Sequence, residues 1–223
     1  MDAPSARCPV PEALVQGDRV IAVLRADRAQ EYAPVIEHLV RGGVRLIELT
    51  LTTRGVLDLL PEIKSQFEAE AEIGVGTVLD AADAKRALDG GASFIVTPTV
   101  NAPVVAACVR RGVAVFPGGL TPSELFAGWQ GGATAVKVFP ASAVGPNYFG
   151  QLRGPFPDIQ LVPSGGVRIE DAAEWMKAGA LAVSLGAPLI GDAFGGGSLR
   201  LLGERARRTC DLVSKAVAER SVA

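Results

Sequence analysis

Lys137 stands inside "TAVKVFPAS" (134–142) and Glu48 inside "RLIELTLTT" (45–53), and each interrupts an otherwise apolar, β-rich run. A charge in such a run is costly unless it is paired or used. Strand alternation puts Ala135, Lys137 and Phe139 on one side and Thr134, Val136 and Val138 on the other, so a small alanine flanks the lysine. Burial disfavours an ammonium relative to the free amine, and a free amine is what attack on a ketone requires. A carboxylate facing that amine, able to take and return protons, completes the equipment for imine chemistry on a keto acid. Each residue also has a plainer reading. Lys137 can snorkel to solvent or pair with Glu48, and Glu48 can pair with Arg45 or Arg25.

Further polar or glycine positions follow other apolar runs. Arg25 closes "VIAVLR" (20–25), Thr77 lies in "VGTV" (75–78), and Pro98 follows "FIVT" (94–97). In "VPSGGVRIEDAAEW" (162–175), Gly165 and Gly166 let the backbone approach an anion, and Gly186 opens a similar loop in "SLGAPLIG" (184–191). Arg25 can add a charge-assisted contact to the same anion, and the Thr77 hydroxyl suits a carboxylate. His38, the one histidine, sits in the helical "VIEHLVRGG" (35–43) and is read as structural. No set of Asp, Glu and His has the spacing of metal ligands, so no metal is expected.

The elements that position these residues follow from a recurring turn. "RGGVRLIEL" at 41, "DGGASFIVT" at 89, "RRGVAVFP" at 110, "QGGATAVKVF" at 130 and "KAGALAVSLG" at 177 each read as helix, capping glycine, buried strand. Gly91, Gly112 and Gly132 are 21 and 20 residues apart, and the outer intervals of 48 and 47 are each close to two units. Eight apolar runs result, at 20–25, 44–49, 72–76, 94–97, 113–116, 135–139, 159–163 and 181–186. Regular β/α alternation with right-handed crossovers predicts a closed (β/α)8 TIM barrel, with a doubly wound open sheet as the alternative. The barrel is expected over 18–223 as a single domain, with 1–17 as a short N-terminal extension. Active sites of such barrels lie at the carboxyl ends of the strands, where the polar positions above fall.

Composition narrows the partners. The 223 residues carry 22 basic and 24 acidic side chains for a net charge of -2, so there is no basic field for nucleic acid or an anionic membrane. A small molecule is the expected ligand. No apolar run approaches the ~18 residues of a membrane span. The N-terminus lacks the charged-then-apolar order of a signal peptide. Cys8, Cys108 and Cys210 are widely spaced and are read as reduced thiols of a cytoplasmic protein.

Taken together, "IAVLRAD", "GGVRLIELTLTT", "GVGTV", "FIVTP", "FPGGLTPSEL", "AVKVFPASAVGP", "GPFPDIQLVPSGGV" and "EWMKAGALAVSLGAPLI" resemble the pyruvate-dependent class I aldolases of the 2-keto-3-deoxy-6-phosphogluconate (KDPG) and 4-hydroxy-2-oxoglutarate (KHG) family. The resemblance runs from about residue 18 to 192. It implies a (β/α)8 barrel, generally trimeric, with the nucleophilic lysine at Lys137 and the catalytic glutamate at Glu48. It further implies a pyruvate-carboxylate threonine at Thr77, a phosphate-contacting arginine at Arg25, pocket-shaping residues at Pro98 and Phe139, and a phosphate loop at Gly165 and Gly166. No cofactor is implied beyond the covalent imine on Lys137. The chain departs from some members at Thr52, where they carry arginine, at Ser164, where many carry threonine, and at Ala187, where some carry a phosphate-binding serine.

The expected reaction is cleavage of 2-keto-3-deoxy-6-phosphogluconate to pyruvate and glyceraldehyde 3-phosphate. The galactonate epimer and 4-hydroxy-2-oxoglutarate are the alternative substrates. A phosphate-binding barrel isomerase or epimerase is the more distant enzyme reading, and a non-catalytic ligand-binding barrel the non-enzymatic one.

Overall fold

The computed structural model describes residues 7–222. The parallel strands are β1 (Val20–Leu24), β2 (Leu46–Thr50), β3 (Glu72–Gly76), β4 (Phe94–Val96), β5 (Ala114–Phe116), β6 (Gly118–Gly119), β7 (Val136–Val138), β8 (Leu161–Pro163) and β9 (Val183–Leu185). The α-helices are α1 (Glu12–Val15), α2 (Tyr32–Arg41), α3 (Val56–Phe67), α4 (Ala81–Asp89), α5 (Ala102–Arg111), α6 (Pro122–Gln130), α7 (Asn147–Arg153), α8 (Ala172–Lys177), α9 (Ala187–Ile190) and α10 (Leu199–Val222).

The recurring glycine does what the sequence predicts. Gly43, Gly91, Gly112, Gly132 and Gly179 all have positive φ, between 63° and 96°. They follow α2, α4, α5, α6 and α8, and the chain then enters β2, β4, β5, β7 and β9. Only glycine takes this left-handed conformation without steric cost, so the residue that ends each helix also aims the next strand.

Six strands form one curled parallel sheet in the order β5-β4-β3-β2-β1-β9, and three form another in the order β6-β7-β8. The predicted run at 113–116 continues beyond its expected end as β6, after a break at Pro117, which has no N–H to give to a ladder. The second expected run starts and ends later than read, so Thr50 belongs to β2. At the seams between the sheets, Thr134 N–H donates to the Val115 carbonyl (3.1 Å) and Leu181 N–H to the Leu161 carbonyl (2.9 Å). Ser164 and Ser184 form a parallel bridge there.

Strand alternation divides the core in two. Ile21, Leu46, Phe94, Val96, Ala114, Phe116, Ala135, Val162 and Ala182 pack together on the concave side. Val20, Ala22, Ile47, Leu49, Val136 and Val138 face outward into the larger cluster with the helices. Residues 1–6 of the expected extension lie outside the described residues, and Cys8, Pro11, Ala13 and Leu14 of the rest are buried. Ala13 and Leu14 of α1 join the concave cluster, and Leu14 is fully buried. The Ala13 N–H donates to Glu72 Oε1 at the start of β3 (2.7 Å). The concave side is thus filled from below by α1 and apolar side chains, and open space lies beyond them at the carboxyl ends of the strands.

The long α10 packs against α2 and α8. Among the described residues no helix is long and apolar enough to cross a membrane. Cys8, Cys108 and Cys210 are unpaired thiols.

Candidate active site

A cavity of about 670 Å³ opens at the carboxyl ends of the strands. Arg25, Glu48, Thr77, Pro98, Lys137, Phe139, Gly165, Gly166 and Gly186 all line it, so the expected catalytic and substrate-binding positions meet in one space. Thr50, Ser164, Val167, Ser184, Ile190 and Phe194 also line it and were not anticipated as a group. The signal for Thr50, Ser164 and Ser184 was the inward phase of their strands; for Phe194, in a glycine-rich turn, there was none.

Lys137 comes from β7, where it pairs in register with Gly118 of β6 and Val162 of β8. Its backbone is held by the bond from its N–H to the Pro117 carbonyl (2.8 Å). The residue is only 8% exposed and lines the cavity. Its Nζ lies 5.1 Å from the centroid of the Phe139 ring, on the same face of the strand as alternation predicts. The Phe139–Pro140 peptide that follows is cis.

Glu48 comes from β2, in register with Val23 of β1 and Gly74 of β3. It is 1% exposed, and its Oε2 has no hydrogen-bond partner among the described residues. The local pairings considered for it do not form. Arg45 instead lies 3.6 Å from Asp18, and no ion pair within 4.0 Å joins Glu48 to Lys137 or Arg25. Burial pushes the Glu48 carboxyl above its ordinary value, while the charges of Lys137 and Arg25 pull the other way. A buried carboxyl left uncommitted beside a buried amine is a group held ready to move protons.

Thr77 follows β3 with φ of 59°, the one non-glycine with positive φ among the described residues. For a β-branched residue this is a true outlier, costing roughly 1–3 kcal/mol, and such strain collects at functional sites. Across the cavity, Gly165 and Gly166 follow β8 with φ of 81° and 74°. Side chains there would strike the Phe139 ring and Ser142, so the loop presents bare backbone. Arg25, after β1, is exposed at the rim.

The departures noted in the sequence are also placed. Thr52 is exposed, with Oγ1 3.0 Å from the Thr50 hydroxyl, and does not line the cavity. Ala187 lines it beside Gly186. His38 lies apart on α2, its Nδ1 2.8 Å from the Pro34 carbonyl. Among the described residues no group of three or more His, Cys, Asp or Glu is arranged to hold a metal ion.

The family model for KDPG and KHG aldolase matches residues 12–194. The 2-dehydro-3-deoxy-phosphogluconate aldolase of Treponema pallidum is 33% identical over 159 residues, covering 71% of this chain and 75% of that one. The 2-dehydro-3-deoxy-6-phosphogalactonate aldolase of Escherichia coli is 33% identical over 171 residues, covering 76% and 83%. Among solved structures, KDPG aldolase from Legionella pneumophila, with pyruvate captured as a covalent carbinolamine, superposes with a TM-score of 0.82 at 25% identity, covering 90% of this chain and 98% of that one. With a family match over most of its length and relatives at this identity, the chain belongs to the KDPG and KHG aldolases, a family of carbon–carbon lyases.

Proposed function

We propose that this protein is a class I aldolase in which Lys137 forms the imine and Glu48 moves the protons. The observation that carries the reading is the pair itself: a buried amine and a buried, unpartnered carboxyl lining one cavity. The Lys137 amine adds to the C2 ketone of a 2-keto-3-deoxy acid, and Glu48 protonates the carbinolamine oxygen so that it leaves as water. The protonated imine then accepts the electrons of the C3–C4 bond as Glu48 takes the proton of the C4 hydroxyl. The aldehyde departs, the enamine is protonated at C3, and hydrolysis returns pyruvate and free Lys137.

In this reading Thr77 holds the substrate carboxylate and Arg25 with the Gly165, Gly166 and Gly186 loops holds the distal anion. Pro98 and Phe139 shape the space around the pyruvate half. No cofactor takes part, and the covalent carrier is Lys137. The two sheets are read as one closed (β/α)8 barrel over 18–223, with β5 and β6 as a single interrupted strand and α1 of the extension under its floor. A homotrimer in the cytoplasm, taking a small keto acid and neither nucleic acid nor membrane as partner, belongs to the same proposal.

The substrate proposed first is 2-keto-3-deoxy-6-phosphogluconate. The galactonate epimer and 4-hydroxy-2-oxoglutarate are compared with it by kcat/KM on one preparation. The test of mechanism is borohydride reduction in the presence of pyruvate, read by intact mass and peptide mapping. A stable adduct on Lys137, absent from Lys137→Ala, is expected. No adduct on the active protein, or full turnover by Lys137→Ala, would replace the covalent mechanism with an acid–base isomerase or epimerase.

A further inference from the structure

Two serines at the seam between the sheets face the cavity, and the bond between them leaves one hydroxyl proton uncommitted within the protein. Ser164 follows β8 and Ser184 lies in β9; both are 4% exposed, both line the cavity, and their hydroxyl oxygens are 3.2 Å apart. Two hydroxyls carry two O–H donors. The single bond between them uses one, whichever serine gives it, and the other finds no protein acceptor among the described residues. The remaining O–H is left to donate into the cavity, so the pair suits a ligand oxygen placed against it.

The strand order says which part of a ligand that oxygen belongs to. Thr77 follows β3, whereas Ser184 is on β9, three strands farther round the sheet, and Ser164 is across the seam beside β7. Lys137 is in register with Val162, so Ser164 sits two residues beyond that level toward the cavity mouth. A keto acid joined to Lys137 with its carboxylate at Thr77 therefore sends its far carbons toward the serines.

We propose that the Ser164–Ser184 pair is a specificity subsite for the hydroxyl on the carbon next to the aldehyde carbon, with Ser184 the residue that completes it. This rests on the aldolase reading above. A site built to pair a ligand hydroxyl discriminates strongly against the analogue that lacks it, because its own donor is then left bare.

The test runs the reaction toward synthesis, joining pyruvate C3 to the carbonyl carbon of glycolaldehyde or of acetaldehyde, while the aldehyde oxygen takes up the proton released from C3. The two aldehydes differ only by the hydroxyl in question, and neither is charged. In Ser184→Ala the ratio of kcat/KM for glycolaldehyde to that for acetaldehyde falls by about fivefold or more, as loss of one hydrogen bond predicts. Ser184→Thr, which keeps the hydroxyl, restores it, and Ser164→Ala lowers it as well. An unchanged ratio, or equal loss on both aldehydes, would show that the serines only fill the seam and would overturn the proposal. Should Ser184→Ala fold poorly, Ser184→Cys supplies the same comparison with a weaker donor. Borohydride trapping of pyruvate on each preparation keeps the outcomes apart: no adduct on the unmodified protein sinks the aldolase reading, whereas adduct formation with an unmoved ratio sinks only the subsite.

Discussion

The Glu48 carboxyl group occupies the space that a side chain on Gly76 would fill: a Cβ built at Gly76 collides with Glu48 Oε1 and its neighbouring carbons. Gly76 ends β3 and pairs in register with Thr50, two residues beyond Glu48 on β2. The missing side chain on one strand is thus what lets the glutamate of the next lie across the sheet toward the cavity.

Gly76→Ala forces Glu48 to move. Misplacing a reacting group by about 1 Å can cost about 10²-fold in rate, and a loss of that order in kcat is expected. Steady-state kinetics with borohydride trapping checks it, since Lys137 should still be trapped by pyruvate, only more slowly.

Glu48→Gln is expected to lower kcat by about 10²–10⁴-fold, the usual contribution of a positioned acid–base group. Its effect on stability has the opposite sign and depends on pH. The folded carboxyl is raised above its ordinary value chiefly by burial, so between the two values folded Glu48 holds a proton that the unfolded chain releases. The folded state therefore loses stability as pH rises from the ordinary carboxylate value through the raised one. Thermal melts should show the glutamine variant gaining Tm over the parent at about pH 8, with the gain vanishing near pH 3, below the unfolded value of about 4.3.

Thr77→Gly separates strain from binding. Relief of the positive φ offsets the extra freedom that glycine has in the unfolded chain, roughly 0.5–1 kcal/mol. Tm is expected to hold or rise, while KM for the keto acid rises by about tenfold, the loss of one hydrogen bond to a charged group. A large fall in Tm would show that the Thr77 side chain holds the loop rather than the ligand.

Leu14→Ala tests the floor. A fully buried leucine in the concave cluster should cost about 2–5 kcal/mol of stability when truncated. Denaturant melts are expected to show that loss, with kcat little changed in the protein that remains folded, because Leu14 does not line the cavity.

Much of the molecule was legible in order along the chain. The helix, glycine, strand unit depends on a left-handed cap, and the inward phase of each strand depends on a two-residue period. Both are local properties, so five capping glycines and the inward Lys137 could be read from neighbouring residues alone. Because residues late in successive parallel runs share one end of a sheet, eight of the nine expected cavity residues could be gathered by position before any contact was known, and Phe139 was added by the family resemblance.

The tertiary structure decided the relationships between residues distant in sequence. Glu48 rests over Gly76, Ser164 meets Ser184, Leu14 of α1 enters the concave cluster, and Arg45 goes to Asp18 and leaves Glu48 uncommitted. Each depends on register and on how the sheets meet, and neither is written in any one strand. Thr77 shows the same limit within a single residue. Its type is plain from the sequence, but its positive φ is imposed by what packs around the end of β3, since no threonine adopts that conformation by its own preference.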